Sequence, residues 1–157
     1  MKYIKVSNTV AVVDDQDYDL VVQYRWWLTK QGYAYTQKSY KGNRTTTLMH
    51  RLIAGPADGE EIDHENLDKL DNRRQNLRLC TRSQNNANRP GSKGYKGVRW
   101  SKNAWQAEIK KDRRYVYIGR FKTAELAARK YDEKAFELFG EFAYTNFPKE
   151  EYENQFA

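Results

Sequence analysis

The chain has 157 residues, 39% hydrophobic, 31% charged and 14% aromatic, which suits one ordinary domain or two small ones and excludes a disordered chain. Its net charge of +7 and pI of about 9.4 favour a polyanionic partner, nucleic acid or an anionic membrane face. No apolar run reaches the roughly 18 residues of a bilayer span, and one cysteine (Cys80) with two histidines (His50, His64) cannot make an intrachain disulfide or a closed Cys/His zinc finger within one chain.

In chain order, Tyr3 to Val6 and Thr9 to Val13 read as strands around a Ser7-Asn8 turn, followed by a polar break at Asp14 to Asp17 that suits a helix start. The start of the chain has no signal-peptide pattern. Tyr24 to Leu28, Tyr33 to Lys38 and Thr45 to Leu48, parted by Gly32 and Gly42, predict a small meander; Leu48 to Ala54 predicts a short helix stopping before Gly55-Pro56. Asn66, Asn72, Asn76, Asn85, Asn86 and Asn88 then crowd 23 positions. Asn is a poor helix and strand former, so this density fits either side chains bonding locally and to a ligand or a simple solvated loop. Strands are expected at Glu61 to His64 and Leu77 to Cys80, and a helix from about Thr81 to Asn88. Cys80 fits a small core residue.

Arg89-Pro90-Gly91-Ser92-Lys93-Gly94 reads as a linker and places a domain boundary. Beyond it, strands are expected at Lys96 to Ser101, Trp105 to Lys111 and Tyr115 to Phe121. A helix follows from N-cap Thr123 to a C′ glycine, Gly140, with Ala124, Ala127, Ala128, Tyr131, Ala135, Leu138 and Phe139 at helical spacing. One helix covers one sheet face, leaving Arg99, Gln106, Glu108, Lys110, Tyr115 and Tyr117 on the open one. Residues 149–157 read as an acidic frayed tail.

Met49-His50-Arg51-Leu52, Glu61-Ile62-Asp63-His64, Leu70-Asp71-Asn72-Arg73, Asn76-Leu77-Arg78 and Gln84-Asn85-Asn86 together resemble the HNH endonuclease family over roughly residues 48 to 89. The resemblance implies a ββα-metal fold and a metal-dependent DNA endonuclease. It implies that His64 is the general base, that Asp63 and Asn85 hold one divalent cation, Mg²⁺ above all, and that Asn76 ties the hairpin loop as scaffold. The residue types suit that chemistry. Phosphodiester cleavage needs an activated water and a cation against the phosphate charge, and carboxylate and amide oxygens are hard ligands for such an ion. Successive strand residues face opposite ways, so a bulge or strand end must let Asp63 and His64 both serve one site. His50 and Arg78 are possible supporting residues; His50 could equally pack or cap, Asp63 could simply pair with an arginine, and Arg73, Arg74 and Arg78 either hold phosphates or form a solvated face.

Tyr95-Lys96-Gly97-Val98-Arg99, Trp105 to Ile109, Ile118-Gly119-Arg120-Phe121, Thr123 to Ala128, Tyr131-Asp132 and Asn146-Phe147-Pro148 resemble the APETALA-type DNA-binding domain of plant ethylene-response factors, over about residues 94 to 148. That family lays its three-stranded sheet in the major groove. The resemblance implies double-stranded DNA as partner, with Lys96, Arg99, Glu108, Lys110, Tyr115 and Tyr117 on the binding face. Residues 94–121 carry eight basic groups against two acids. Lys96 and Lys110 stand where Arg is usual, and Lys lacks the bidentate fork. Trp105 fits the core; Trp100 fits either a groove contact or the sheet edge.

The expected fold is α+β: a small β-rich N-terminal region leading into the ββα-metal core, then a three-stranded antiparallel sheet packed on one helix. The nuclease domain is expected over residues 1–89, its core about 48–89, and the DNA-binding domain over 94–148. The resemblance to mobile, homing-type nucleases of phages and bacteria implies the cytoplasm of a bacterial or phage-infected cell, with no membrane or small-molecule substrate. The alternatives are a non-catalytic DNA-binding regulator with the HNH part as scaffold, which the intact Asp63, His64 and Asn85 set argues against, and an RNA-binding protein.

Overall fold

The computed structural model describes residues 1–40 and 43–153; the expected break at Gly42 and the end of the tail lie outside them. The chain divides into two compact units, Met1–Thr81 and Arg82–Ala157. The division falls ahead of the Pro-Gly-Ser linker, so the helix after Thr81 belongs to the second unit.

In the first unit, β1 (Lys2–Val6) and β2 (Thr9–Val13) form an antiparallel hairpin closed at Ser7-Asn8. A single 3-10 turn at Asp15–Asp17 leads into α1 (Tyr18–Val22). The meander is β3 (Trp27–Leu28), β4 (Ala34–Tyr40) and β5 (Asn43–Leu48), in that order in one sheet. Next comes α2 (Met49–Ala54), stopped by Gly55 in the left-handed region. Ile4, Val6, Ala11, Val13, Val21, Trp26, Ala34, Met49 and Ile53 make one buried cluster. Each large member contributes about 1.5–3 kcal/mol through burial. A second hairpin, β6 (Glu61–His64) with β7 (Leu77–Cys80), pairs Asp63 with Arg78 and His64 with Leu77. Cys80 is buried, as a small core residue should be.

The second unit begins with α3 (Arg82–Ala87). A three-stranded antiparallel sheet follows: β8 (Val98–Ser101), β9 (Ala104–Lys111) and β10 (Arg114–Phe121), with β9 in the centre. The two-residue turns Lys102-Asn103 and Asp112-Arg113 both take positive φ, the geometry that matches the strand twist. A register shift between Tyr117 and Gly119 lets Ile118 bulge. Helix α4 (Ala124–Phe139) is capped by Thr123, whose hydroxyl accepts from Leu126 N at 3.2 Å. Its buried stripe of Ala127, Ala128, Tyr131, Ala135 and Phe139 has the helical spacing that meets Ala107 and Ile109 of β9 in a common core. Gly97 sits at the closest approach: at φ +73°, a Cβ there would lie 2.0 Å from the Tyr131 ring.

The expected frayed tail is corrected over its described part. Glu150–Glu153 forms α5, and Tyr152 is buried with its hydroxyl donating to Asp132 Oδ2 at 3.2 Å. The reason lies in Asp132, fully buried on α4, which also accepts from Asn146 N at 2.8 Å and Phe147 N at 2.9 Å. A buried carboxylate needs every donor within reach. Among the described residues, no helix is long and apolar enough to cross a membrane.

Candidate active site

The β6–β7 hairpin encloses a loop, residues 65–76, that bonds mainly to itself. Asn76 Oδ1 accepts from Asn66 N at 2.9 Å, and Asn76 Nδ2 donates to Asp71 O at 2.8 Å. Asn66 Nδ2 donates to Asp71 Oδ2 at 2.9 Å, and Arg73 grips both Asp71 oxygens at 2.8 and 2.6 Å. The Arg73 guanidinium holds the Asp71 carboxyl below its ordinary pKa. Asx bonds from Asn66 and Asp68 shape the turn between. Much of the asparagine crowding is thus local bonding, the structural side of what the sequence left open. Strand β2 laces the loop from outside: Val12 N donates to Leu70 O and Asn72 N to Val12 O, each at 2.8 Å. Arg74 reaches Asp17 with two bonds, 2.8 and 2.7 Å, so Arg73 and Arg74 are engaged within the unit.

Asp63 and His64 occupy the last two positions of β6, and both are buried. The pair therefore sits at a strand end, one of the two ways its members could serve one site. Asp63 Oδ2 accepts from Arg78 at 2.5 Å, with Arg78 also 3.4 Å from Glu65. Pairing a buried carboxylate with a partly buried guanidinium offsets the desolvation of each. Arg78 thereby fixes the orientation of the Asp63 carboxylate.

His64 is held on three sides. Its Nε2 lies 3.4 Å from Asn72 Oδ1, its ring centroid 5.0 Å from that of His50 edge-to-face, and 5.8 Å from that of Tyr33. Burial pushes the His64 pKa below its ordinary value near 6.5, against the smaller raising effects of Asn72 and nearby carboxylates. His50 lies on α2, buried, with its Nδ1 unpartnered; burial first, then the neighbouring His64, lowers its pKa to about 3. It is therefore a neutral ring packed behind His64. Neither Tyr33 nor Asn72 stands out in sequence as a site residue. For Asn72, the Leu70-Asp71-Asn72-Arg73 run is the one signal; for Tyr33, well upstream of the motif, there is none.

The remaining expected site residues belong to the second unit. Asn85 lies half-buried on α3. The open face of the β8–β10 sheet carries Arg99, Glu108, Lys110, Tyr115 and Tyr117. Arg99 pairs with Glu108 at 3.3 Å, and the Lys110 ammonium sits over the Tyr115 ring at 5.3 Å. Lys96 is a correction. It lies before β8 rather than on that face, and its ammonium donates to Ala87 O, over the Tyr144 ring. Burial lowers its pKa to about 8, and its backbone is clasped by the Asn146 side chain. The reason is its long apolar stem, which fills the gap between α3 and the sheet while the head caps a helix end. Trp105 is half-buried, and Trp100 packs edge-on against it at 5.3 Å while remaining 57% exposed.

Comparison with known proteins places these residues in context. The family model for HNH endonucleases matches residues 48–87. An uncharacterized HNH endonuclease of Acanthamoeba polyphaga mimivirus is 36% identical over 142 residues, which is 89% of this chain and 76% of that protein. An AP2-like ethylene-responsive transcription factor of Arabidopsis thaliana is 37% identical over 59 residues, 38% of this chain and 20% of that protein. A solved structure of DNA binding and cleavage by the HNH homing endonuclease I-HmuI is 30% identical, covers 41% of this chain and 40% of that one, and has a TM-score of 0.37.

Proposed function

The chain belongs to the HNH endonuclease family, and on that premise we propose that it is a metal-dependent endonuclease hydrolysing phosphodiester bonds of double-stranded DNA. The observation that carries this reading is the end of β6, where a buried neutral imidazole follows a buried carboxylate already oriented by Arg78. His64 is the general base, taking a proton from the water that attacks phosphorus. Its lowered pKa keeps the lone pair available at neutral pH.

HNH nucleases generally use a divalent metal ion. Asp63 and Asn85, a carboxylate and an amide, fit a hard cation, and we assign them to it. Among the described residues, no three His, Cys, Asp or Glu side chains converge as a metal cage. Mg²⁺, commonly bound through one or two protein oxygens with water completing the shell, needs none. When bound, such an ion neutralises charge on the scissile phosphate. Asn76 is scaffold, tying its own loop.

The open β8–β10 face is the surface we assign to duplex DNA, residues 94–148 acting as its reading module. Among Lys96, Arg99 and Lys110, Arg99 alone has a bidentate fork for a guanine edge or a phosphate. Supercoiled plasmid tests both parts: nicked or linear product should form with Mg²⁺ and not with chelator, and His64→Ala should retard the plasmid without cutting it. Retardation by the unaltered protein without cleavage in Mg²⁺ would mean that the HNH part is a scaffold and the protein a DNA-binding regulator.

A further inference from the structure

We propose that Asn72 is a positioning residue for His64: its side-chain oxygen holds the imidazole in the tautomer protonated on Nε2, leaving Nδ1 as the atom that accepts the proton from water. The inference deepens the reading of His64 as general base and rests on it.

Asn72 is fully buried, and its amide orientation is fixed by its surroundings. Nδ2 donates to Leu70 O at 3.1 Å. A flipped amide would set two acceptors against each other there, so Oδ1 is the atom that faces His64 Nε2 at 3.4 Å. An amide oxygen only accepts, so Nε2 must carry the proton and Nδ1 the lone pair. The backbone of Asn72 is anchored separately, through its N–H on Val12 O, so the side chain is available for this one task. The Tyr33 and His50 rings limit tilting of the imidazole. Neither ring fixes rotation about the imidazole's own axis or the site of its proton, whereas the Asn72 oxygen bears on both. A base in the wrong tautomer presents a hydrogen where a lone pair is needed, which is why the partner of a catalytic histidine can matter as much as the histidine.

The test uses the full-length chain with ¹⁵N-labelled histidine. With two histidines in the sequence, the His64→Ala spectrum assigns the signals. Long-range ¹H–¹⁵N correlations at pH 8 should show His64 protonated on Nε2. Asn72→Leu, similar in size but without an acceptor, should lose the single tautomer and slow cleavage about ten- to hundredfold, no more than the full loss of a general base would cost, with duplex binding unchanged. A folded Asn72→Leu variant with the unaltered tautomer and rate would overturn the proposal, as would an unaltered protein protonated on Nδ1. Should Asn72→Leu fail to fold, the unaltered spectrum decides: protonation of His64 on Nε2 supports the proposal, and protonation on Nδ1 overturns it. Full cleavage by His64→Ala would instead sink the general-base reading, an outcome separate from any tautomer result.

Discussion

Asp63, His64, Asn72 and Asn76 in the first unit are each at most 5% exposed, whereas Tyr115 and Tyr117 on the open sheet of the second are 68% and 58% exposed. Burial gives the first set fixed geometry and shifted protonation, but each buried polar group must then be satisfied by another. The result is interlocked: Arg78 on Asp63, Asn72 at His64, Asn76 across its loop. The sheet face holds its cations loosely, in exposed pairs individually worth little. Chemistry needs the first arrangement and recognition of a long polyanion the second. Single substitutions should therefore act sharply in the hairpin and gradually on the sheet.

The largest effect tests the sharp side. His64→Ala should lower cleavage by about 10²-fold or more with duplex affinity intact, measured by plasmid nicking beside gel retardation. Stability comes next. Gly97→Ala forces a side chain against Tyr131 at positive φ and should cost about 2–4 kcal/mol, read as a lowered denaturation midpoint. On the gradual side, Arg99→Ala should weaken site affinity by about 1–3 kcal/mol if it reads a base, with cleavage recovered at saturating protein. A loss there as abrupt as that of His64→Ala would break the comparison. A further effect appears only in acid. The folded pKa of His50 is about 3 against roughly 6.5 unfolded, so its neutral form stabilises the fold above pH 6.5. That contribution is lost as pH falls from about 6.5 toward 3, at up to about 1.4 kcal/mol per pH unit. His50→Phe should flatten this slope in acid-unfolding titrations. His64 is lowered in the same direction, so the acid limb of cleavage should lie at lower pH than a free imidazole would give, read from rate against pH.

The hairpins, the meander and α4 were legible because period-2 and helical patterns stood between recognisable turns, as at Ser7-Asn8 and Thr123. Asp63 and His64 were legible as types at a spacing. What a spacing does not encode is which neighbour a side chain meets across the fold. Lys96 belongs to a basic run and reads as a DNA contact, yet its ammonium turns inward to Ala87 O. Tyr152 sits among acids and reads as tail, yet the buried Asp132 twenty residues earlier draws it in. Asn72 looks like one asparagine among six, and its contact with His64 depends on a loop closed by other residues.

The lacing of Val12 to Leu70 and Asn72, and of Arg74 to Asp14 and Asp17, bears on how this nuclease could be shortened or transplanted. The segment that matches the family model starts at residue 48, but the loop that carries its motif is stitched to the first seventeen residues. Closing a loop of about 60 residues costs roughly 4 kcal/mol of chain entropy, which a graft of the motif alone would escape while also losing the seam that the closure creates. A fragment trimmed to residues 48–87 would keep every recognisable letter of the motif and leave its loop unbuttoned. The excisable unit reaches back to β1, and grafts that bring β1 and β2 along should hold their shape where motif-only grafts do not.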